Sequence, residues 1–141
     1  MGRIIGIDYG QKRVGLAVSD PLFLFASPLD TLPPDKVTLF LQQYHTTNPI
    51  ERFVVGYPKL LNNTPAQNAQ RVEAFVKHLQ RTFPDIPITL ADERFTSRMA
   101  FQAMIDGGLK KKDRQDKATV DKISAVIILQ GFLDQKQTFT L

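Results

Sequence analysis

Hydrophobic residues near the start of the chain occur in short runs that are typical of β-strands. Arg3–Asp8 and Val14–Asp20 are two such runs, and the turn-forming segment 9–13 between them predicts a β-hairpin. A third short strand is predicted within Phe23–Leu32, broken by Pro28 and ended by two further prolines. The chain is therefore expected to open with three strands joined by short turns.

The remainder of the chain alternates between apolar residues at helical spacing and short apolar runs bounded by turn residues. This pattern predicts a helix over Asp35–His45, a strand over Arg52–Gly56, a helix through Val72 to Phe83, a strand over Pro87–Ala91, a helix from Thr96 or Ser97 to Ile105 and a helix over Thr119–Gln135. The order β-β-β-α-β-α-β-α-α indicates an α/β fold whose mixed sheet of about five strands carries helices on both faces. We expect one domain over residues 1–136 and a loose C-terminal tail over 137–141.

The composition, with 43% apolar and 23% charged residues among 141, is that of an ordinary globular domain. No apolar run reaches the ~18 residues needed to cross a membrane, and the N-terminus lacks the apolar core of a signal peptide. We therefore expect a cytoplasmic protein without a membrane partner.

The chain contains no cysteine and only two histidines, His45 and His78. Disulfides, thiolate metal sites and multi-histidine zinc sites are therefore excluded. A bound metal would be a hard ion held by oxygen atoms, such as Mg²⁺ or Mn²⁺. Both histidines are expected on helix surfaces, without a role in the chemistry.

Carboxylates end two strands that are predicted to be parallel. Asp8 ends the first strand, and Asp92 with Glu93 ends the last. Because the carboxyl ends of parallel strands meet at one edge of an α/β sheet, we expect these acids to lie near one another. Gly6 shares a strand face with Asp8 and is expected to leave space beside it. Whether Asp92 or Glu93 is the principal ligand stays open.

Asp20 also ends a strand, but the hairpin assigns it to the opposite edge of the sheet. If the hairpin turns at 10–13, Asp8 pairs near Gly15 and Asp20 pairs near Arg3, roughly 16 Å away along the strand. We therefore interpret Asp20 as a turn residue before Pro21.

A third acid comes from the last predicted helix. That helix is apolar nearly all round, which predicts that it is largely buried, yet Asp121 lies in its first turn on the same face as Ala125 and Ile128. A plain N-terminal charge stabilised by the helix dipole is the alternative interpretation. Together, Asp8, Glu93 and Asp121 would form a hard-cation site able to hold two ions ~3.5–4 Å apart for phosphodiester hydrolysis.

Basic residues lie close in sequence to each of these acids. The formal net charge of +4 permits a polyanionic partner without demanding one. As candidate contacts to nucleic acid we take Lys12, Arg13, Arg94, Arg98, Lys110, Lys111, Lys112, Arg114 and Lys117. A solvated surface loop, with ion pairs to the neighbouring acids, is the plainer interpretation.

Four motifs, in the same order along the chain, resemble those of the YqgF/RuvX family. They are Gly6-Ile7-Asp8-Tyr9-Gly10 with Arg13, Gly15 and Ala17-Val18-Ser19-Asp20; Val55-Gly56-Tyr57-Pro58; Asp92-Glu93-Arg94-Phe95-Thr96-Ser97; and Val120-Asp121 with Ser124-Ala125-Val126-Ile127-Ile128-Leu129. Tyr57, Ser97 and the Asn62-Asn63 pair depart mildly from the family pattern and leave the acids unchanged.

This resemblance implies a ribonuclease H-like fold and a metal-dependent nuclease, with Asp8, Glu93 and Asp121 at the catalytic positions. It implies processing of the 5′ end of precursor 16S rRNA in ribosome biogenesis, with a Holliday junction resolvase as the alternative within this class. The expected partners are structured RNA or branched DNA, together with pre-ribosomal particles. A monomer or weak homodimer is expected, since the sequence shows no clear dimer surface.

Two other classes of protein compete with a nuclease. The Gly6–Gly10 motif also resembles the phosphate loop of sugar kinases and actin-like ATPases, whose fold needs a second domain and a Gly-rich adenosine motif that this sequence lacks. The other class is a ribosome-assembly factor with vestigial acids. Metal-dependent cleavage that is lost in Asp8→Asn would separate a nuclease from both.

Overall fold

The computed structural model describes residues 2–10, 12–57, 66–92 and 117–139, and at 66–68, 92, 117–122 and 136–139 it describes the backbone alone. The elements are β1 Arg3–Tyr9, β2 Val14–Ser19, β3 Ala26–Leu32, a 3-10 turn at Pro34–Lys36, α1 Val37–Thr47, β4 Ile50–Tyr57, α2 Ala66–Thr82, β5 Ile88–Asp92 and α3 Lys117–Phe139. The predicted helix from Thr96 or Ser97 to Ile105 lies outside the described residues.

The described strands form one mixed sheet in the order β3-β2-β1-β4-β5. The first three strands pair antiparallel, whereas β4 runs parallel to β1 and β5 runs parallel to β4. The prediction of a hairpin meander followed by parallel strands is therefore confirmed. It also follows that β1, β4 and β5 end at the same edge of the sheet, which we call the carboxyl edge.

The register of the β1–β2 hairpin is the one that the sequence predicts. Asp8 pairs with Gly15, and Ile5 pairs with Val18. Continuing this register brings Asp20 beside Arg3, whose guanidinium donates a hydrogen bond of 3.3 Å to the carbonyl of Ser19. Asp8 and Asp20 therefore lie at opposite ends of the sheet.

The prediction that Pro28 breaks the third strand is wrong. β3 continues through Pro28, which pairs with Ala17, and the register shifts between Leu16 and Ala17. Because β3 is at the end of the described strand order, the missing amide hydrogen of proline costs little there, and the shift accommodates its fixed backbone.

Two hydrophobic cores cover the two faces of the sheet. On one face, alternate sheet residues such as Ile5, Ile7 and Phe53 pack with residues of α1 and α2, including Leu41 and Leu79. On the other face, the sheet residues Ile4, Ala17 and Val54 pack with Ala125, Ile128, Leu129 and Leu133 of α3. Helices on both faces are thus confirmed, and Asp8, two residues beyond Gly6 on an alternating strand, belongs to the α3 face.

The last helix is longer and less buried than the sequence predicts. α3 begins at Lys117 and continues to Phe139, past the predicted end at Gln135. Its described side chains are buried only where they meet the sheet, while Gly131, Asp134 and Gln135 are exposed. No helix among the described residues combines the length and apolar character needed to cross a membrane.

Candidate active site

Asp8 lies near the carboxyl edge of the sheet, between two glycines. Gly15 is its partner on β2, and the β1–β4 register, which pairs Ile7 with Val55, continues to Gly56 beside Asp8. Ala91 of β5 pairs with Gly56 of β4 at the same level of the sheet. The positions directly opposite Asp8 on both neighbouring strands are therefore glycines. We call this line of positions, from Gly15 through Asp8 and Gly56 to Ala91, the glycine-flanked row.

The interpretation that Gly6 leaves space beside Asp8 is wrong. A Cβ at residue 6 would lie 2.7 Å from the Cβ of Leu129 and 3.0 Å from the carbonyl oxygen of Ala125. Gly6 therefore admits the backbone of α3 against the sheet rather than leaving an opening. Space beside Asp8 comes instead from Gly15 and Gly56, which have no side chains and lie in two of the four family motifs.

α3 crosses the sheet antiparallel to β1. Its later residues contact the end of the sheet where β1 begins, because the Phe132 ring lies 6.0 Å from the guanidinium carbon of Arg52, whose β1 partner is Ile4. Ala125 and Leu129 contact Gly6 farther along β1. The N-terminal turn of α3 consequently points toward the carboxyl edge, where Asp8 lies.

The backbone of Asp121 is in that N-terminal turn. Asp121 precedes Ala125 by four residues, so the two occupy the same side of the helix. From Ala125 to Asp121 the helix advances roughly 6 Å, and from Gly6 to Asp8 the strand advances roughly 7 Å. The two advances match, so the helix backbone at Asp121 comes to the level of Asp8 on the same face of the sheet.

β5 ends at Asp92, which pairs with Tyr57 at the carboxyl edge. Ala91 packs against the α3-side core, and Thr89 accepts a hydrogen bond of 2.8 Å from Arg52 on that same face. Glu93 lies outside the described residues. The structure therefore brings the end of β5, the strand that precedes Glu93 in sequence, to the carboxyl edge, two strands from β1.

Of the candidate nucleic-acid contacts, Lys12 and Arg13 are described. Both lie in the turn between β1 and β2, at the carboxyl edge, where Lys12 is exposed and Arg13 is half-buried. Lys117 begins α3, and its backbone is described. The remaining candidates, Arg94, Arg98, Lys110, Lys111, Lys112 and Arg114, lie outside the described residues.

Asp20 at the opposite edge is a structural carboxylate, as the sequence predicts. Its Oδ1 accepts hydrogen bonds from the amides of Leu24 at 2.7 Å and Phe25 at 2.9 Å. The bond from the Phe25 amide, supported by others from the same loop, lowers the pKa of Asp20 below its usual 3.8. These bonds hold a loop in which Phe23 adopts a left-handed φ of 60°, an unusual conformation for a residue with a side chain.

Tyr57, the residue that departs from the family's usual leucine, lies at the carboxyl edge on the last position of β4. Its hydroxyl donates a hydrogen bond of 2.6 Å to Oε1 of Glu73 on α2. This hydrogen bond, together with desolvation and the negative charge of Glu73, raises the pKa of Tyr57 above 10.0. The tyrosine therefore ties α2 to the end of β4 in its neutral form.

The donor atoms at this edge suit a hard cation. Asp8 offers carboxylate oxygens, and His45 does not compete, since its Nδ1 accepts the Ile50 amide at 2.8 Å and it is held at the far end of α1. Within the described side chains there is no group of three or more acids or histidines able to hold a metal. The other two candidate ligands, Glu93 and the side chain of Asp121, are not among those side chains.

Comparison with known sequences shows which protein family the chain matches. The profile of the RuvX family, described as "Holliday junction resolvase", matches residues 2–135. The chain is 55% identical to a protein of Parabacteroides distasonis named "Putative pre-16S rRNA nuclease", over 97% of this chain and 98% of the relative. A protein of the same name from Bacteroides thetaiotaomicron is 49% identical, over 97% of this chain and 99% of that one.

Comparison with solved structures confirms the predicted ribonuclease H-like fold. RuvC of T. thermophilus, solved in complex with a Holliday junction substrate, superposes with a TM-score of 0.60 at 16% identity, covering 97% of this chain and 96% of that one. The yeast mitochondrial Holliday junction resolvase superposes with a TM-score of 0.56 at 11% identity, covering 99% of this chain and 80% of that one. At such low identity the likeness concerns the fold alone.

Proposed function

This chain belongs to the RuvX family, and on that premise we propose that it is a metal-dependent nuclease that hydrolyses phosphodiester bonds. The relatives that share half of its sequence carry the name of pre-16S rRNA nucleases. We therefore take the 5′ end of precursor 16S rRNA, in the cytoplasm and within pre-ribosomal particles, as its leading substrate.

The observation that carries this proposal is the setting of Asp8. It lies between Gly15 and Gly56 in the glycine-flanked row, and the N-terminal turn of α3 reaches the same level on the same face. Positions without side chains next to a carboxylate leave room for a phosphodiester and metal ions to approach the backbone. The acids proposed to hold Mg²⁺ or Mn²⁺ are Asp8, Glu93 and Asp121.

Successive side chains of β5 alternate between the two faces of the sheet, and this alternation supports Glu93 over Asp92 as the second acid. Thr89 and Ala91 lie on the α3 face, together with the core residues of α3. Since facing alternates along a strand, the next position on that face in an extended chain is 93. Strands are ~4.8 Å apart, and residue 93 comes two positions beyond Ala91, which is level with Asp8. If β5 stayed extended, the backbones of Asp8 and Glu93 would therefore be ~12 Å apart. Two carboxylates can meet a pair of ions across that span.

The chemistry divides between the ions and the chain. When bound, divalent ions lower the pKa of the attacking water and neutralise charge on the phosphate. The carboxylates hold the ions, and their own charge would otherwise repel the substrate. Lys12 and Arg13 at the same edge are proposed to contact flanking phosphates, as are Arg94, Arg98, Lys110, Lys111, Lys112, Arg114 and Lys117.

A Holliday junction resolvase is the second candidate function, because the family profile bears that description and the fold is that of RuvC. The two functions differ in symmetry. A junction is two-fold, so its resolution calls for two active sites in a dimer, whereas trimming of rRNA ends is open to a monomer or weak homodimer.

One cleavage assay tests the proposal and separates the two substrates. Labelled precursor rRNA and a labelled four-way DNA junction are each incubated with the protein and Mn²⁺ or Mg²⁺, beside Asp8→Asn and Asp20→Asn. We expect metal-dependent cleavage of the rRNA that Asp8→Asn abolishes and Asp20→Asn retains. Cleavage that survives Asp8→Asn would refute the site, and cleavage of the junction alone would favour the resolvase.

A further inference from the structure

A cavity of about 370 Å³ opens at the carboxyl edge, on the face of the sheet opposite to Asp8. It lies between α1 and α2, and Tyr9, the last residue of β1, lines it. Because Asp8 and Tyr9 are consecutive, their Cα atoms are ~3.8 Å apart while their side chains face opposite sides. The cavity therefore begins within one residue of the proposed cleavage site.

An aromatic wall forms one side of this cavity. The rings of Tyr9 and Phe75 are stacked with centroids 4.6 Å apart and planes 27° apart, and both rings line the cavity. Phe75 is buried in the core of that face, so the pair has little freedom to reorient. A fixed aromatic surface at an open edge is the kind on which a nucleobase stacks.

Polar and ionisable side chains line the same cavity. Arg71 and His78 come from α2, and Asp35 comes from the 3-10 turn before α1. An arginine can make paired hydrogen bonds to a phosphate, and a carboxylate can accept hydrogen bonds from the amino groups of a base. Aromatic rings, an arginine, an imidazole and one carboxylate together match the parts of a nucleotide. The volume is at the lower end of small-ligand pockets, which run from roughly 300 to 1,000 Å³.

We propose that this cavity binds one unpaired nucleotide of the substrate, next to the scissile phosphate. The base stacks on the half-buried ring of Tyr9, which Phe75 holds in place from behind, and Arg71 with His78 contacts the adjoining phosphate. A paired base cannot enter, so the cavity selects substrates with a single-stranded segment at the cleavage point. This inference rests on the proposed nuclease function, since it assumes that a nucleic acid crosses the carboxyl edge.

Binding in the absence of divalent metal isolates the cavity from the chemistry. The probes are a short fluorescent single strand and a blunt duplex of the same sequence, with affinity read by fluorescence anisotropy. We expect Tyr9→Leu to weaken single-strand binding about tenfold and to leave duplex binding unchanged, because stacking acts only on unpaired bases. Tyr9→Phe keeps the ring and should bind like the natural protein. Equal affinity of Tyr9→Leu for the single strand would overturn the proposal.

A second pair of variants tests the cavity without altering its aromatic wall, in case Tyr9→Leu fails to fold. Arg71→Gln should reduce the slope of log affinity against log salt by about 0.7, the value for one phosphate contact on a single strand. Arg81→Gln, in the last turn of the same helix and outside the cavity, is the matched control and should leave the slope unchanged. Identical slopes for the two variants would contradict the proposed phosphate contact.

Asp8→Asn separates failure of the cavity from failure of the proposed function. It should bind the single strand like the natural protein while cutting nothing. If the natural protein shows Tyr9-dependent binding but no cleavage, the nuclease proposal fails and the cavity stands. If cleavage depends on Asp8 while Tyr9→Leu and Arg71→Gln bind normally, the nuclease stands and the cavity fails.

Discussion

Asp8 on β1 and Asp20, the residue after β2, lie at opposite ends of one hairpin, and their surroundings differ in kind. Asp20 is held by backbone amides of its own loop, with hydrogen bonds of 2.7 and 2.9 Å that lower its pKa. Asp8 stands in a row whose nearest members on both adjacent strands are glycines. One end of the hairpin uses its carboxylate to shape a loop, and the other places its carboxylate between positions that carry no side chain.

The difference shows how a strand-end aspartate should be interpreted. Both residues follow a β-rich run and precede a turn, so local sequence does not distinguish them. The distinction comes from pairing, because parallel strands β4 and β5 deliver their ends beside Asp8, while the end beside Asp20 is occupied by a loop whose amides satisfy the carboxylate. α3 joins the two ends, since the Gln130 side chain accepts the Ala26 amide and donates to the Leu24 carbonyl in the Asp20 loop.

The largest effect is expected from a substitution that displaces α3, because the helix serves both ends. Gly6→Val would place its Cβ 2.7 Å from the Cβ of Leu129 and push the helix away from β1. We expect a loss of about 1–3 kcal/mol in the free energy of unfolding, together with loss of cleavage. Urea denaturation monitored by circular dichroism measures the first, and the rRNA assay measures the second.

Gly131→Ala is the matched control for Gly6→Val. Gly131 lies in α3, the helix that Gly6 contacts, and it is exposed. A methyl group added there would meet no atom within 4 Å beyond its own helix backbone and chain neighbours. Alanine in a helix interior should raise the free energy of unfolding by about 0.5–1 kcal/mol and leave cleavage unchanged. If Gly6→Val were as stable as the natural protein, the close docking of α3 on β1 would be contradicted.

A smaller effect is expected at the other end of the hairpin. Asp20→Ala removes the acceptor of two loop amides, so the melting temperature should fall by a few degrees while cleavage is retained. Because folding lowers the pKa of Asp20 below 3.8, the carboxylate contributes stability above that pH and loses it as the pH falls through its folded value. The difference in melting temperature between the two proteins should therefore shrink below pH 3.8.

Thermal melts of Asp20→Ala and of the exposed Asp85→Asn across acid pH check this expectation. Asp85 lies between α2 and β5, and no hydrogen bond of the described residues depends on its carboxylate, so its substitution should leave the melting temperature nearly unchanged. A pH-independent difference for Asp20→Ala would show that its hydrogen bonds do not act through the charged form.

Much of the fold follows from the sequence, because hydrophobic periodicity and turn residues specify elements directly. The hairpin register, the parallel later strands and the role of Asp20 were all within reach of such reasoning. Contacts between segments that are distant in sequence could not be predicted in this way. Gly6 illustrates the limit, since a missing side chain is equally consistent with an opening and with a close helix, and only the packing of Leu129 decides.

The candidate site, too, could be predicted from the sequence only in part. Motifs identify Asp8, Glu93 and Asp121 as candidate acids, but strand pairing is needed to find that Gly15 and Gly56 flank Asp8. The cavity beside Tyr9 had no sequence signal of its own, because its lining comes from β1, the 3-10 turn, α1 and α2. Sites assembled from several elements become visible only when the elements are packed.

Direct titration with Mn²⁺ tests the metal role of Asp8 most simply, because it requires no substrate. Isothermal titration calorimetry would compare the natural protein with Asp8→Asn and Asp20→Asn. We predict that Asp8→Asn weakens Mn²⁺ binding by more than about tenfold and that Asp20→Asn binds like the natural protein. Equal Mn²⁺ affinity in Asp8→Asn and the natural protein would contradict the assignment of Asp8 as a metal ligand.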